Sequence, residues 1–138
     1  MLEITETELT EVIALAEALR KSSENYSKSP KKSYKERFLD EDLMSPEFKD
    51  LTDKENTLSD YLRGLSIGAL QDLLAIMYLG RDKDYNKRDS ARTIMKKQRA
   101  YFDNQIGPNQ IAIITTLMEK RPLDDYLKVG VEILRIHV

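Results

Sequence analysis

Apolar residues recur along this chain at intervals of three and four, the period of an α-helix that turns one face to a core. The first such run is Leu9, Val12, Ile13, Ala16 and Leu19, with Glu6, Glu11, Glu17 and Arg20 among the polar positions. Ahead of it, Thr5-Glu6-Thr7-Glu8 has the form of a capping box. The Thr5 hydroxyl can accept from the Glu8 amide while the Glu8 carboxylate accepts from the Thr5 amide, and Ile4 and Leu9 occupy the two staple positions. These signals predict a first helix that ends near Lys21.

The pattern is lost from Ser22 to Ser45, where Ser22-Ser23-Glu24-Asn25 and Ser27-Lys28-Ser29-Pro30 read as loop. Lys28, Lys31, Lys32, Lys35 and Arg37 precede Asp40, Glu41 and Asp42, so residues 22–45 are expected to form a mobile charged loop, with a contact surface as the alternative. Ser45-Pro46-Glu47 then supplies an N-cap with proline at the first helical position, predicting a short helix from Pro46. Another is predicted from about Thr57, with Leu58, Tyr61, Leu62 and Leu65 on one face.

Ser66 caps the next segment, with Leu65 and Leu70 as its staple. Ile67, Leu70, Leu73, Leu74, Met77 and Tyr78 make it the most apolar in the chain, which predicts the central helix. Gly80 fits its C′ position and residues 81–86 the following turn. From about Arg88 to Gln105, Ala91, Ile94, Met95, Gln98, Tyr101 and Phe102 share one side. Gly107-Pro108 separates that helix from Asn109 to Lys120, whose Ile111, Ile113, Ile114, Leu117 and Met118 are expected to be mostly buried. After Arg121-Pro122, a last helix to about Ile136 uses Leu123, Tyr126, Leu127, Val131 and Leu134, and Val129 to Val138 is the one stretch where a strand is an alternative. The expected fold is an all-α, single-domain bundle of about six helices with a long loop after helix one.

Composition narrows this picture. A chain of 138 residues is the size of one domain, residues 1–138, and its few aromatics imply an aliphatic core. The absence of Cys removes disulfides, thiolate nucleophiles and Cys-based metal sites, and leaves nothing that requires an oxidising compartment. Met1-Leu2-Glu3-Ile4-Thr5-Glu6 is acidic where a signal peptide is basic, which argues against that export route. The apolar stretch Leu65 to Leu79 is interrupted by Ser66, Gln71 and Asp72 and is shorter than the roughly 20 residues of a membrane span. A cytoplasmic protein without membrane association is the expectation.

Lys plus Arg number 22 against 24 Asp plus Glu, so any case for an anionic partner must be local. Placing residues at 100° intervals groups Arg88, Arg92, Lys96 and Arg99 on one helix face, with Lys97 and Arg81 close by. Read as a stripe without i+4 carboxylates, these cations repel one another by roughly a few tenths of a kcal/mol per pair. That cost predicts an anion- or partner-binding site of Arg81, Arg88, Arg92, Lys96 and Arg99. The simpler reading is a solvated face, screened by salt or paired with the acidic segment Asp40 to Asp60. An acidic protein surface is favoured over nucleic acid because the chain is not basic overall and its aromatics are mainly needed in the core. A phosphorylated small molecule is a third candidate.

Candidate chemistry is sparse. Asp82-Lys83-Asp84-Tyr85-Asn86 opens like a calcium loop, but Lys87 stands where the turn needs Gly and Thr93 where the ion needs Glu. A polar turn whose aspartates cap the helix near Arg88 is expected instead. His137, the sole histidine, adjoins the terminus and is expected to be exposed. Without a Gly-rich phosphate loop or a Gly-x-Ser-x-Gly elbow, no catalytic residue, metal or cofactor is expected. Carboxylate and tyrosine chemistry at positions such as Asp125 and Tyr126 is the enzymatic alternative. The expected function is that of a non-enzymatic regulator or inhibitor acting through a protein partner, with self-association as a homodimer. The alternative is an anion-, nucleotide- or nucleic-acid-binding protein that uses the basic helix face.

The run Leu73-Leu74-Ala75-Ile76-Met77-Tyr78-Leu79-Gly80-Arg81 is followed some forty residues later by Leu117-Met118-Glu119-Lys120-Arg121-Pro122-Leu123-Asp124-Asp125-Tyr126-Leu127. Together with the opening Leu2-Glu3-Ile4, these segments resemble a bacterial domain-of-unknown-function family, number three seven seven five, over most of the chain outside the middle loop. Asp82 and Tyr85 stand where that pattern has a further Gly and a nearby Trp. The resemblance implies a small helical fold and brings no established activity and no site residues.

Overall fold

The capping box forms as its residue types require. Thr5 Oγ1 accepts from the Glu8 amide at 3.0 Å, Glu8 Oε1 accepts from the Thr5 amide at 3.0 Å, and Ile4 and Leu9 are buried beside it. Helix α1 (Glu6–Lys28) starts there. The computed structural model describes residues 2–28 and 45–136.

Helix α1 runs about two turns beyond Lys21, because contacts from elsewhere in the chain hold what local composition would not. The Ser22 hydroxyl is buried and donates to the Asp50 carboxylate, and the Tyr26 ring meets Phe48 at a centroid distance of 5.7 Å. Residues 22–28, expected as loop, are therefore helical. Residues 29–44, the rest of that expected loop, lie outside the described residues, as does His137.

Helix α2 (Pro46–Arg63) begins where Ser45 Oγ accepts from the Phe48 amide at 3.1 Å. It is one helix where two were expected. Thr57, taken as a possible start, donates its hydroxyl to the Asp53 carbonyl at 2.7 Å and so bonds back into the continuing helix.

Helix α3 (Ile67–Asp82) is capped by Ser66 and buries Leu70, Leu73, Leu74, Ile76, Met77 and Leu79, as its apolar composition predicts. Gly80 does not end it. The helix continues to Asp82 and is closed by Lys83 in the left-handed region, φ 54°. Gly80 serves packing instead. A Cβ there would lie 1.8 Å from the Tyr126 carbonyl oxygen, and one at Gly130 would lie 2.3 Å from that of Ile76. Two missing side chains let α3 press against the last helix, backbone to backbone.

Ser90 caps α4 (Ala91–Gln105) through a 3.2 Å bond from the Thr93 amide. The helix thus starts after Arg88, and the preceding aspartates do not cap it. Asn109 caps α5 (Gln110–Glu119), and α6 (Leu123–Leu134) follows Pro122. The segment with a strand alternative is helical through Leu134. Three large apolar positions are exposed among the described residues: Ile67, at the start of α3, is 38%, Tyr101 59% and Ile111 78% exposed. Tyr101 meets Phe102 edge-on at the bundle surface, and Ile111 lies about a third of a turn from the buried face of Ile113, Ile114 and Leu117.

The result is an all-α, single-domain bundle with six helices among the described residues. Helix α3 is central, packed by α4, α5 and most extensively α6, while α1 pairs with α2 and α6. Among the described residues, no helix is long and apolar enough to cross a membrane.

Candidate functional site

Asp72 interrupts the most deeply buried helix, α3, and is only 1% exposed. A carboxylate removed from water needs partners for both oxygens. Its Oδ2 accepts from the backbone amides of Glu3 and Ile4, and its Oδ1 from Arg99 Nη1. Asp72 therefore fastens the segment before α1 to the middle of α3 and draws in a cation from α4.

Arg99 is the hub of this cluster. Its Nε donates to both Asp103 oxygens at 3.2 Å, its Nη2 to Gln71 Oε1 at 3.1 Å, and its Nη1 also to Glu3 Oε2 at 3.2 Å. Burial works to lower the guanidinium pKa, but bonds with Asp103 and Asp72 more than offset this and hold it above the ordinary value. Arg99 is a permanent cation committed to internal partners. The stripe expected from sequence is corrected here: Asp103 is the i+4 carboxylate of Arg99.

Beside this hub, α4 and the end of α6 border a cleft of about 730 Å³ that is open to solvent. Its apolar lining is Leu2 from the fastened N-terminal segment, Ala91, Met95 and Ala100 from α4, and Leu134 and Ile136 from the end of the chain. Its charged lining is Arg92, Lys96, Arg99, Asp72 and Asp103. Arg92 and Lys96 are exposed, and neither has a carboxylate partner among the described residues. Both oxygens of the buried Asp72 are already engaged.

The expected site thus divides. Arg92, Lys96 and Arg99 come together at the cleft. Arg88 sits in the turn before α4, its amide bonded to Asn86 Oδ1 at 2.9 Å, and does not line the cleft. Arg81, at the end of α3, lies 3.7 Å from Asp82 and 5.8 Å from the Tyr78 ring centroid, and also lies outside it. Lys97, close by in sequence, is bound to Asp89 at 2.7 Å. The sequence reading missed Asp72, Glu3, Gln71 and Asp103. A carboxylate in the middle of the apolar run from Leu70 to Leu79 was the available signal.

A second ionic cluster lies between α1 and α6. Asp124 is 0% exposed, and Arg20 Nε reaches its two oxygens at 3.2 and 3.1 Å while Arg20 Nη1 bonds Glu24 at 3.0 Å. Lys128 approaches Asp124 at 3.9 Å and Glu17 at 3.6 Å, and Lys21 pairs with Glu17 at 3.3 Å. The Glu17 carboxyl is held below its ordinary pKa by its bond to Lys21 and by the charges of Lys128 and Lys21. The adjoining cavity, about 10 Å³, has room for at most one water.

Among the described residues, no group of three or more His, Cys, Asp or Glu side chains is arranged to hold a metal ion. No family model, curated protein or solved structure matches the chain, and the chemistry of the cleft is carried by these residues alone.

Proposed function

We propose that this chain is a non-enzymatic binding protein that acts through protein–protein interaction, with the α4/α6 cleft as its contact surface. The occupant is an acidic, partly apolar segment of a partner. A cytoplasmic regulator or inhibitor is the role that accords with this reading, and the bacterial family of unknown function is the proposed kinship.

One observation carries it: Arg92 and Lys96, without a carboxylate partner among the described residues, border an apolar cleft. Like charges at i and i+4 destabilise an isolated helix by roughly 0.2–0.5 kcal/mol, a cost that an arriving carboxylate relieves. Apolar lining contributes affinity at roughly 25 cal/mol per Å² removed from water, before the costs of association. Engagement of both Asp72 oxygens supports binding over acid–base chemistry, because a general base needs a lone pair directed at substrate.

Affinity capture from lysate of the source cells, followed by quantitative mass spectrometry, tests this reading. A partner retained by the wild type and by Lys21→Gln/Lys128→Gln, but lost with Arg92→Gln/Lys96→Gln, is the expected outcome. Equal retention by all three proteins would exclude the cleft. The same two cations favour a second reading, an anion or nucleotide site. There, ATP or inorganic phosphate would raise the melting temperature of the wild type by mass action and not that of Arg92→Gln/Lys96→Gln.

A further inference from the structure

We infer that the cleft recognises an acidic amphipathic α-helix of a partner protein, one that carries two carboxylates a single turn apart beside a row of aliphatic side chains. This inference rests on the cleft being a protein-binding surface and adds the conformation and charge pattern of its occupant.

The first argument concerns backbone hydrogen bonds. An extended peptide buried in a groove must find partners for its amides and carbonyls, normally on the edge of a sheet. The described residues contain no strand, and the cleft is bordered by helices whose backbone groups are bonded internally and by the non-helical residues Leu2 and Ile136, which offer no strand edge for an extended peptide. A helix satisfies its own backbone and needs only side-chain complementarity from such walls.

The second argument concerns the relief of α4. Two rows at i, i+4 spacing line the cleft, Ala91–Met95–Arg99 and Arg92–Lys96–Ala100. Rows of this spacing form the ridges and grooves into which another helix packs, at an interaxial distance of about 8–10 Å. Ala91 and Ala100 keep the ends of these rows low, and Met95, 8% exposed, forms an apolar floor between them. Ile94, on the far side of α4, is buried in the core, and Phe102, at the edge of the Ala91–Met95 row, stacks on Tyr78 of α3. A docked helix would cover the exposed side of α4 that carries Arg92, Lys96 and Ala100.

The third argument fixes the charges. The Arg99 guanidinium is engaged by Asp72, Asp103, Gln71 and Glu3, which leaves Arg92 and Lys96 to meet the occupant. They stand one turn apart, about 6 Å along the axis. Two Glu or Asp residues at i and i+4, or i and i+3, of an adjacent helix have the matching spacing. Nucleic acid presents regular phosphates but no aliphatic row for Met95, Leu134 and Ile136.

A displayed library of helix-forming peptides with one randomised face, selected in parallel on the wild type and on Arg92→Gln/Lys96→Gln, tests the inference. The expected result is enrichment on the wild type of acidic pairs one turn apart next to Leu, Ile or Met, with selected peptides binding the variant at least about tenfold more weakly, the scale of a charge-assisted hydrogen bond. The melting temperature of the variant, expected to match the wild type, excludes unfolding as the cause. Charge reversal with Arg92→Glu/Lys96→Glu should instead enrich Lys or Arg pairs at the same spacing. Enriched sequences that carry a central proline or scattered acids, yet still depend on Arg92 and Lys96, would overturn the helical occupant and leave the cleft as the partner site. Equal enrichment on both proteins, or none, would also overturn it, and lysate capture then decides the cleft independently.

Discussion

Two buried aspartates anchor this bundle, and each is held by an arginine with a second carboxylate one turn along its own helix. Asp72 binds Arg99, which also binds Asp103, and Asp124 binds Arg20, which also binds Glu24. The surroundings differ. Around Asp124 the remaining cations, Lys21 and Lys128, are matched by Glu17, and the adjoining space is about 10 Å³. Around Asp72 the cations Arg92 and Lys96 have no such match among the described residues, and the adjoining cleft is about 730 Å³. A balanced cluster without space holds two helices together. Cations left unpaired beside an apolar opening are what a second protein can use. The difference shows that the number of cations on a helix face says less than which of them the fold has already neutralised.

The largest effects should come from breaking the anchors. Asp72→Ala and Asp124→Ala each remove one member of a buried pair and should each cost about 3 kcal/mol, lowering the melting temperature by roughly 10 °C. Only Asp72→Ala should also speed hydrogen exchange at the Glu3 and Ile4 amides, which lose their acceptor. Equal protection in both variants would remove the distinction between the two anchors.

The exposed cations should then separate by sign. Lys21→Gln/Lys128→Gln removes attractive pairs and should lower stability by about 0.5 kcal/mol. Arg92→Gln/Lys96→Gln removes a repulsive pair and should leave stability unchanged or raise it by roughly 0.3 kcal/mol. Denaturant unfolding of both variants checks the signs, and a loss above about 1 kcal/mol in the second would mean that its cations have internal partners.

The smallest effect concerns an ionised group at neither anchor. Asp50 titrates below its ordinary value because the Ser22 hydroxyl bonds its carboxylate and Lys54 lies nearby. Its pKa is depressed by folding, so its contribution is complete above the unfolded carboxylate value and is lost as pH falls through the folded one. Ser22→Ala should raise the Asp50 pKa in an NMR titration and flatten that part of the pH dependence. An unchanged value would place the cause elsewhere.

Much of the fold was legible because local signals carry it. Thr5, Ser45, Ser66 and Asn109 each begin a helix where sequence placed one, and the apolar run after Ser66 forms the centre. What failed depended on distant contacts. Gly80 looks like a helix end, yet its lack of a side chain serves the approach of Tyr126, 46 residues later. Ser22 and Tyr26 look like loop, yet α2 holds them in α1. The site was half legible for the same reason. Helical periodicity put Arg92, Lys96 and Arg99 on one face, but only folding brings Asp72 and Glu3 to Arg99. Arg88 fell away because Ser90, not the preceding turn, starts α4.

Calorimetric titration of the captured partner into the wild type, Arg92→Gln/Lys96→Gln and Lys21→Gln/Lys128→Gln tests the central claim most directly. The cleft as contact surface predicts at least about a tenfold rise in Kd for the first variant, with no change for the second. Equal affinity for all three proteins, or equal loss in both variants, would contradict it.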